Sequence, residues 1–296
     1  MEYFELYNGN RLPKVCFGPG IWTRGMKSHS GIKRIYDKYL LFKQEKKYFK
    51  GISSALECGC SFIDYSAAYG REDLIAKAIN ELNIQRDDIY LTTRVSNASQ
   101  FQGKVRDVAL RSIEKLKVDY VDLLMFHWPV PEKFISTWET LIKLQEEGFA
   151  KNIGVANCHE HHLETLISAT SVVPQINQVE IHPLFSQKKL INYCQSKNIQ
   201  VEAYTSLGRM DERMTRLPLM KKLCNKYQKS ISQLIIRWHI QNGVIPIFRS
   251  FNAKHQKDCI DIFNFEISND DMKLIDSVNI NSRLRYDPDN CDFTIL

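Results

Sequence analysis

From residue 44 onward, short apolar runs alternate with longer segments in which apolar residues recur every three to four positions. The short runs are typical of buried strands, and the longer segments are typical of amphipathic helices. With one earlier run, they predict eight strands, at residues 15–18, 61–65, 89–94, 121–126, 152–155, 175–180, 201–204 and 244–248. The helical segments between them include residues 46–57, 72–82, 103–116, 132–147, 161–168, 187–196 and 230–241.

Strands that alternate with helices of this length predict right-handed βαβ units and a parallel sheet. Eight such units favour closure into a (β/α)8 TIM barrel, an α/β fold, over an open sheet. Residues 121–126 are almost continuously apolar, as expected of a strand covered on both faces. Because no Pro-, Gly- or Ser-rich linker divides the chain, we expect residues 1–296 to form one domain.

The first 41 residues depart from this alternation. Residues 4–7 and 11–12 flank Asn8-Gly9, which supplies the positive φ angles of a tight turn, so an N-terminal β-hairpin is predicted. Residues 23–41 are basic, aromatic and without a clear period, which predicts a long loop with at most one helical turn near 32–39. Barrel sites lie among the βα loops, so we expect this insertion to cover part of the substrate or cofactor cleft.

Composition narrows the class further. The chain has 44% hydrophobic and 25% charged residues, as soluble globular proteins do. Its 40 basic and 34 acidic residues are interleaved, which argues against a nucleic-acid-binding face. No apolar run reaches the ~18 residues of a membrane span, and the start does not resemble a signal peptide. Eight dispersed cysteines without a CxxC pair favour free thiols, and we expect a cytoplasmic protein whose partner is a small molecule.

Four chemically distinct side chains follow the predicted strands. Asp64 and Tyr69 come at and just after one strand end, Arg94 ends the next strand, and His127 ends the one after. In a barrel these ends share one rim. A cation held by Asp64 can lower the pKa of the Tyr69 phenol, and the imidazole can help to hold a carbonyl oxygen. Taken alone, Arg94 could also be a structural partner of Asp64.

The same positions resemble the catalytic tetrad of the aldo-keto reductase family. The similarity extends over nearly the whole chain and rests on an ordered series of motifs, at residues 63–72, 122–129, 153–157, 177–183, 202–208 and 246–252. It implies a TIM barrel that reduces aldehydes and ketones with NADPH, without metal or flavin. In that role Tyr69 would donate the proton, His127 would orient the substrate, and Asp64 would anchor the cation.

The resemblance also implies a cofactor site. Asn157 and Gln178 would bind the nicotinamide carboxamide, and Tyr204 would stack on the ring, although it could merely pack; an amide pair and a flat phenol suit those groups. The remaining implied contacts lie in the motif after Tyr204 and near the adenosine 2′-phosphate: Thr205, Leu207, Arg249, Ser250, Asn252 and His255. Trp22 and Trp128, both just past strand ends, are expected in the substrate pocket.

This sequence departs from the family pattern at several positions. Arg94 stands where the family has Lys, and Ala156 stands where it usually has Ser. His255 and Cys259 occupy positions where Arg and Asn are common, which leaves Arg249 as the main source of NADPH preference. We therefore expect an NADPH-dependent carbonyl reductase. The alternative is a weakly active or inactive NADPH-binding sensor or interaction module on the same scaffold.

Other features are less informative. The cluster His159-Glu160-His161-His162 has no Cys or acid at a defined metal-ligand spacing, so solvated polar residues are expected there and not a metal site. Substrate identity is not readable, because residues 23–41 and the tail at 283–296 are weakly patterned. We expect a monomer or a weak homo-oligomer.

Overall fold

The computed structural model describes residues 2–20 and 32–295, and for residues 32–41 it describes the backbone. The strands in these residues are β1 Tyr3–Glu5, β2 Arg11–Pro13, β3 Cys16–Phe17, β4 Phe62–Asp64, β5 Tyr90–Val95, β6 Val121–Phe126, β7 Ala150–Ala156, β8 Ile176–Glu180, β9 Gln200–Tyr204 and β10 Val244–Phe248. The helices are α1 Ile32–Glu57, α2 Glu72–Glu81, α3 Asn97–Phe101, α4 Val105–Leu116, α5 Phe134–Glu146, α6 Glu160–Thr170, α7 Lys188–Ser196, α8 Glu212–Thr215, α9 Pro218–Tyr227, α10 Ile231–Gln241, α11 Ala253–Ile260 and α12 Asn269–Asp276.

In the part of the chain that is described, strands β3 to β10 pair in parallel and close into a barrel in sequence order, with β10 beside β3. The predicted (β/α)8 barrel is thus confirmed. Each predicted strand agrees with the observed one to within about two residues at either end, because strand ends fray and the apolar pattern fades there.

The prediction for residues 23–41 was wrong in its second half, because α1 begins at Ile32. Apolar residues at 32, 35, 36 and 39 do recur with helical spacing, but the basic residues between them obscured the period. Residues 23–31 lie outside the described residues, as do the side chains of 32–41. The expected cover over the cleft therefore stays a prediction.

Side chains alternate between the inside and the outside of the barrel, as the two-residue period of a strand requires. On β5, Tyr90 packs inside with Phe62, whereas Leu91 packs outside against the helices. The same alternation turns Arg94 inward at the other end of β5. The barrel interior toward the amino ends of the strands, here called the lower interior, is accordingly apolar. The polar side chains lie at the carboxyl ends of the strands.

The N-terminal hairpin closes the opposite end of the barrel. β1 and β2 pair antiparallel, with Phe4 opposite Leu12, which confirms the predicted hairpin. The amides of Asn8 and Asn10 each donate to Oδ1 of Asn152 at 2.9 Å, near the start of β7. Leu6 and Leu12 pack into the lower interior. The hairpin thus covers the amino ends of the strands and leaves the carboxyl ends as the mouth.

Two further expectations concern the whole molecule. The eight cysteines all lie in the described residues and are free thiols, as expected. Among the residues described, the helices are too short or too polar to cross a bilayer.

Candidate active site

A buried polar network lies just below the barrel mouth. Arg94 and Asp64 are 4% and 5% exposed, and the Arg94 guanidinium forms a salt bridge with the Asp64 carboxylate. The guanidinium also donates to Oε1 of Gln178, and its Nε donates to the carbonyl oxygen of Tyr65 at 3.3 Å. The Gln178 amide nitrogen donates to Asp64 at 3.2 Å and to Glu202 at 2.8 Å. Residues from four strands are thereby joined under the mouth.

The charges in this network are set by burial and by each other. Burial alone would lower the pKa of Arg94, but the Asp64 carboxylate, the Tyr69 phenol and the Glu202 carboxylate raise it above its ordinary value. Burial raises the pKa of Asp64, and the Arg94 cation and the Gln178 amide oppose that rise. Burial and the nearby Asp64 raise the pKa of Glu202 to about 8. At neutral pH Glu202 is therefore mainly a neutral carboxylic acid beside the Asp64–Arg94 salt bridge.

Tyr69 is held at the mouth by a short 3-10 turn, Ala67–Tyr69, directly after β4. Ser66 begins the turn, and its hydroxyl accepts a hydrogen bond from the N–H of Ala68 at 3.3 Å. Gly70 ends the turn with φ +75°, a left-handed conformation that glycine adopts without strain. The Tyr69 ring packs edge-on against Tyr65 at 5.3 Å between centroids. Its phenol is partly exposed and close enough to Arg94 to affect that group electrostatically.

His127 follows β6 immediately and lies beside the barrel mouth. Its N–H donates to the carbonyl oxygen of Val95 at 3.1 Å, and its own carbonyl accepts from Nδ2 of Asn157 at 2.9 Å. Trp128 is only 4% exposed and packs edge-on against Phe293, at 6.3 Å between centroids. The predicted pocket residue Trp128 is therefore next to His127 but covered by the C-terminal tail.

Asn157, Gln178 and Tyr204 also converge at the carboxyl ends of β7, β8 and β9. The Tyr204 hydroxyl donates to Oδ1 of Asn157 at 2.7 Å, and burial raises the pKa of that hydroxyl well above its ordinary value. The Gln178 amide is engaged by Asp64, Arg94 and Glu202 as described above. Asn157 and Gln178 were expected to bind the nicotinamide carboxamide. Their side-chain amides thus already have hydrogen-bond partners within the protein.

The segment after Tyr204 turns sharply away from the barrel. Thr205 has φ +51°, and its carbonyl accepts from the N–H of Gly208 at 2.7 Å. The hydroxyl of Ser206 donates to the carbonyl of Ile247 at 2.7 Å, which ties the turn to β10. Thr205 and Leu207 are both partly exposed at the barrel mouth.

A second group of predicted residues lies beyond β10, at the start of α11. The Asn252 side chain caps this helix by accepting from the N–H groups of Lys254 at 2.9 Å and His255 at 3.3 Å. Ser250 accepts from the N–H of Asn252 at 3.2 Å. Arg249 is exposed, with its guanidinium 5.6 Å from the centroid of the Phe251 ring. A cation beside a helix N-terminus is suited to an anion such as a phosphate.

Some site features were predicted and others were not. The predicted Trp22 lies outside the described residues. Two buried acids were missed as members of the site: Glu202, in the polar network, and Glu180, whose carboxylate accepts from the N–H groups of Leu284 at 2.7 Å and Arg285 at 3.0 Å. Each is an acid inside an apolar strand run, a pattern that indicates a buried polar contact.

This chain is similar in sequence and fold to known proteins. The model of the aldo/keto reductase family matches residues 31–280. An uncharacterized oxidoreductase, YtbE, of Bacillus subtilis is 38% identical over 271 residues, which cover 90% of this chain and 96% of that protein. A glyoxal reductase of the same organism is 34% identical over 270 residues, covering 90% and 97%. An aldo-keto reductase of Bombyx mori, solved in complex with NADP, superposes with a TM-score of 0.84 at 29% identity, covering 97% and 96%.

Three observations lead to the same family. They are the closed barrel, the acid, phenol, cation and imidazole at its mouth, and the family match over most of the chain. The chain belongs to the aldo/keto reductase family. Its family and its oxidoreductase relatives make it an oxidoreductase that uses a nicotinamide cofactor and acts on carbonyl compounds.

Proposed function

We propose that this protein is an NADPH-dependent carbonyl reductase in which Tyr69 is the proton donor. The reaction consumes an aldehyde or ketone, NADPH and a proton, and it yields an alcohol and NADP⁺. The observation that carries the proposal is the buried Asp64–Arg94 ion pair beneath the Tyr69 phenol. A fixed, desolvated cation next to a phenol stabilises the negative charge that develops on the phenol oxygen as its proton is transferred.

The residues present fit a nicotinamide dinucleotide phosphate. Arg249 offers a cation to the 2′-phosphate, and the N-terminus of α11 offers the positive end of its helix dipole. Asn157 and Tyr204 stand at the mouth, where the carboxamide and the ring would lie. The bound cofactor would supply the hydride. Because Gln178 gives both of its N–H groups to Asp64 and Glu202, and its Oε1 accepts from Arg94, we assign the carboxamide contact mainly to Asn157.

The protein side of the step is a proton transfer to the carbonyl oxygen. Tyr69 gives its hydroxyl proton to that oxygen as the carbon is reduced, and Arg94 stabilises the negative charge left on the phenolate. Asp64 holds Arg94 in place, and its negative charge balances the positive charge of Arg94 before the reaction. His127, at the end of β6, supplies a ring nitrogen to orient the substrate oxygen. Solvent then reprotonates Tyr69.

Small reactive aldehydes are the substrates to test first. The glyoxal reductase that resembles this chain is named for a two-carbon dialdehyde. Trp128 is packed under Phe293, which narrows the mouth beside His127 and favours compact carbonyl compounds over bulky ones. We therefore propose short α-dicarbonyl aldehydes such as glyoxal as the preferred class.

The test is NADPH oxidation by the purified protein with glyoxal and a panel of aldehydes and ketones, for the wild type and for Tyr69→Phe. Phe keeps the ring that packs on Tyr65, so NADPH affinity should be unchanged while kcat falls by at least about 100-fold. Wild-type turnover with equal activity in Tyr69→Phe would remove Tyr69 from the mechanism. No turnover with any carbonyl compound would reject the reductase itself.

One alternative keeps the fold and the cofactor but not the chemistry. Arg94 occupies the position of the family's Lys, and its guanidinium is hydrogen-bonded to Gln178. This difference from the family favours a protein that binds NADPH without reducing a substrate. That protein would quench its tryptophan fluorescence on adding NADPH and would show negligible NADPH oxidation. The same two measurements on the wild type separate the alternative from the reductase.

A further inference from the structure

A cluster of three histidines and one aspartate lies outside the catalytic residues. His159, His161 and His162 stand at the start of α6, and Asp289 comes from the C-terminal tail, which we define as residues 283–295. One ligand atom from each side chain lies within 4.8 Å of all the others. The histidines alone indicated solvated polar residues, because the acidic partner is 130 residues after His159. The fold brings it to them.

The spacing of these atoms suits a small cation. Nδ1 of His159 is 2.7 Å from Oδ2 of Asp289. Nε2 of His161 and Nε2 of His162 are 3.1 Å and 3.6 Å from Oδ1 of the same carboxylate. Zn–N and Zn–O bonds of about 2.0–2.2 Å place neighbouring ligand atoms roughly 3.2–3.6 Å apart in a tetrahedron. Because the four ligand atoms already lie within 4.8 Å of one another, side-chain rotations can bring them around an ion that replaces the shared protons. Imidazole and carboxylate together suit Zn²⁺ better than Ca²⁺ or Mg²⁺.

The four side chains are not equally available. Nδ1 of His162 accepts a hydrogen bond from the N–H of His159 at 3.1 Å, so its neutral ring carries the proton on Nε2, the atom that faces Asp289. His161 is largely exposed and has no comparable constraint. His159 has Arg283 3.3 Å from its Nε2, so Arg283 has to shift when Nδ1 takes an ion and Nε2 carries the proton. His162 is thus the weakest ligand of the set.

We propose that His159, His161 and Asp289 bind a Zn²⁺ ion, completed by water, that fastens the C-terminal tail to the start of α6. The positive end of the α6 dipole opposes a cation there, and the Asp289 carboxylate supplies the compensating charge. A backbone N–H···Oδ1 bond of 3.1 Å from Asp289 to Asp287 already orders the turn that presents this carboxylate.

The consequence concerns the mouth of the barrel. The tail is anchored at Glu180 through the N–H groups of Leu284 and Arg285, and further along it places Phe293 against Trp128. Asp289 lies between these two anchors. A bound ion would add a third fixed point and so would hold Phe293 over the region where we propose the substrate binds.

The experiment measures Zn²⁺ binding by calorimetry on protein freed of any affinity tag, without cofactor or substrate. The wild type should bind one ion, and His161→Gln should lower the affinity at least about tenfold. His162→Gln is the matched control: a Gln at the third helical position still accepts from the N–H of His159, so affinity should stay within about threefold. Zn²⁺ should also slow tryptic cleavage after Arg285 in the wild type and the control, but not in His161→Gln.

Two results would overturn the proposal. The first is absence of a one-to-one Zn²⁺ complex, or an affinity that neither His161→Gln nor Asp289→Asn lowers. The second is binding that leaves cleavage after Arg285 unchanged, since the ion would then not fasten the tail. Neither measurement uses NADPH or a carbonyl compound. The Zn²⁺ site can therefore be rejected without rejecting the proposed reductase activity, and the activity can be rejected without rejecting the site.

Discussion

The guanidinium of Arg94 donates to the amide oxygen of Gln178, 84 residues away, while another of its nitrogens pairs with Asp64. A single planar fork therefore spans the Asp64 carboxylate, which we propose is part of the catalytic site, and an amide that the family resemblance assigns to the cofactor. A lysine ammonium is a compact point charge on a shorter side chain and does not offer this two-armed geometry. The substitution of Arg for the family's Lys thus changes the surroundings of the cofactor as well as the cation beside Tyr69.

Arg94→Lys is expected to keep turnover and to tighten NADPH binding. The positive charge next to Tyr69 remains, so kcat should change by less than about tenfold. Gln178 loses its partner at Oε1, which becomes free to accept from the carboxamide, so the Kd for NADPH should fall. Steady-state kinetics and fluorescence titration give the two quantities.

Arg94→Met is the control for Arg94→Lys. It removes the charge and leaves Asp64 buried without its cation, which should lower the free energy of unfolding by about 3–5 kcal/mol and abolish turnover. A rise in kcat of more than about 100-fold in Arg94→Lys, from a wild type close to zero, would contradict the reductase proposal. It would favour the binding-only alternative.

Glu202 gives a prediction about pH and stability. Its pKa is raised to about 8 in the folded protein, whereas an unfolded Glu titrates near 4.3. Between these values the folded state holds a proton that the unfolded state has released, so stability falls as pH rises from about 4.3 to about 8 and then levels off. The total loss is on the order of 5 kcal/mol.

Glu202→Gln should remove this loss. The Gln oxygen still accepts from Nε2 of Gln178, and the substituted side chain does not ionise. Urea denaturation at a series of pH values should show a flatter profile for the variant and a higher stability than the wild type above pH of about 8. Parallel profiles for the two proteins would mean that Glu202 does not titrate in this range.

Arg249→Gln should alter the choice of cofactor. We expect the KM for NADPH to rise about 10- to 100-fold, because a charge-assisted contact to the 2′-phosphate is worth about 1.5–3 kcal/mol. The KM for NADH, which lacks that phosphate, should stay nearly unchanged. Lys257→Gln, which neutralises an exposed cation in the last turn of α11, away from the helix N-terminus, is the matched control. Equal effects of Arg249→Gln on both cofactors would contradict the assignment.

The parts of the fold and site that could be predicted depend on local pattern. A two-residue period on a strand fixes which side chains face inward, so the positions of Asp64, Arg94 and His127 at strand ends followed from counting along each run. Barrel closure then placed these ends on one rim. The start of α1 was missed because lysines and arginines between its apolar positions weakened the helical period.

What could not be predicted depends on distances across the barrel or along the surface. The bond from Arg94 to Gln178 depends on how far each side chain reaches into the interior, and periodicity does not report that reach. The approach of Asp289 to His159 depends on the path of the tail, which Glu180 fixes through two backbone N–H groups. Sequence spacing therefore argued against a metal site that the folded chain makes geometrically possible.

Gly51 provides a prediction about the packing of α1 against the segment between β10 and α11. A Cβ added at Gly51 would lie 2.0 Å from Cδ1 of Phe251, whose ring also packs edge-on against Tyr48 at 5.0 Å between centroids. Gly→Ala inside a helix ordinarily stabilises by about 1 kcal/mol, but here the ring has to move. We expect Gly51→Ala to lower the free energy of unfolding by about 1–3 kcal/mol. Because Arg249 lies over the same ring, NADPH affinity should fall as well.

The double variant Gly51→Ala/Phe251→Leu tests the cause of this loss. Its added methyl group meets a smaller side chain, so Gly51→Ala should destabilise the Phe251→Leu protein less than it destabilises the wild type. A more stable Gly51→Ala single variant would show that α1 and the Phe251 ring are not packed this closely.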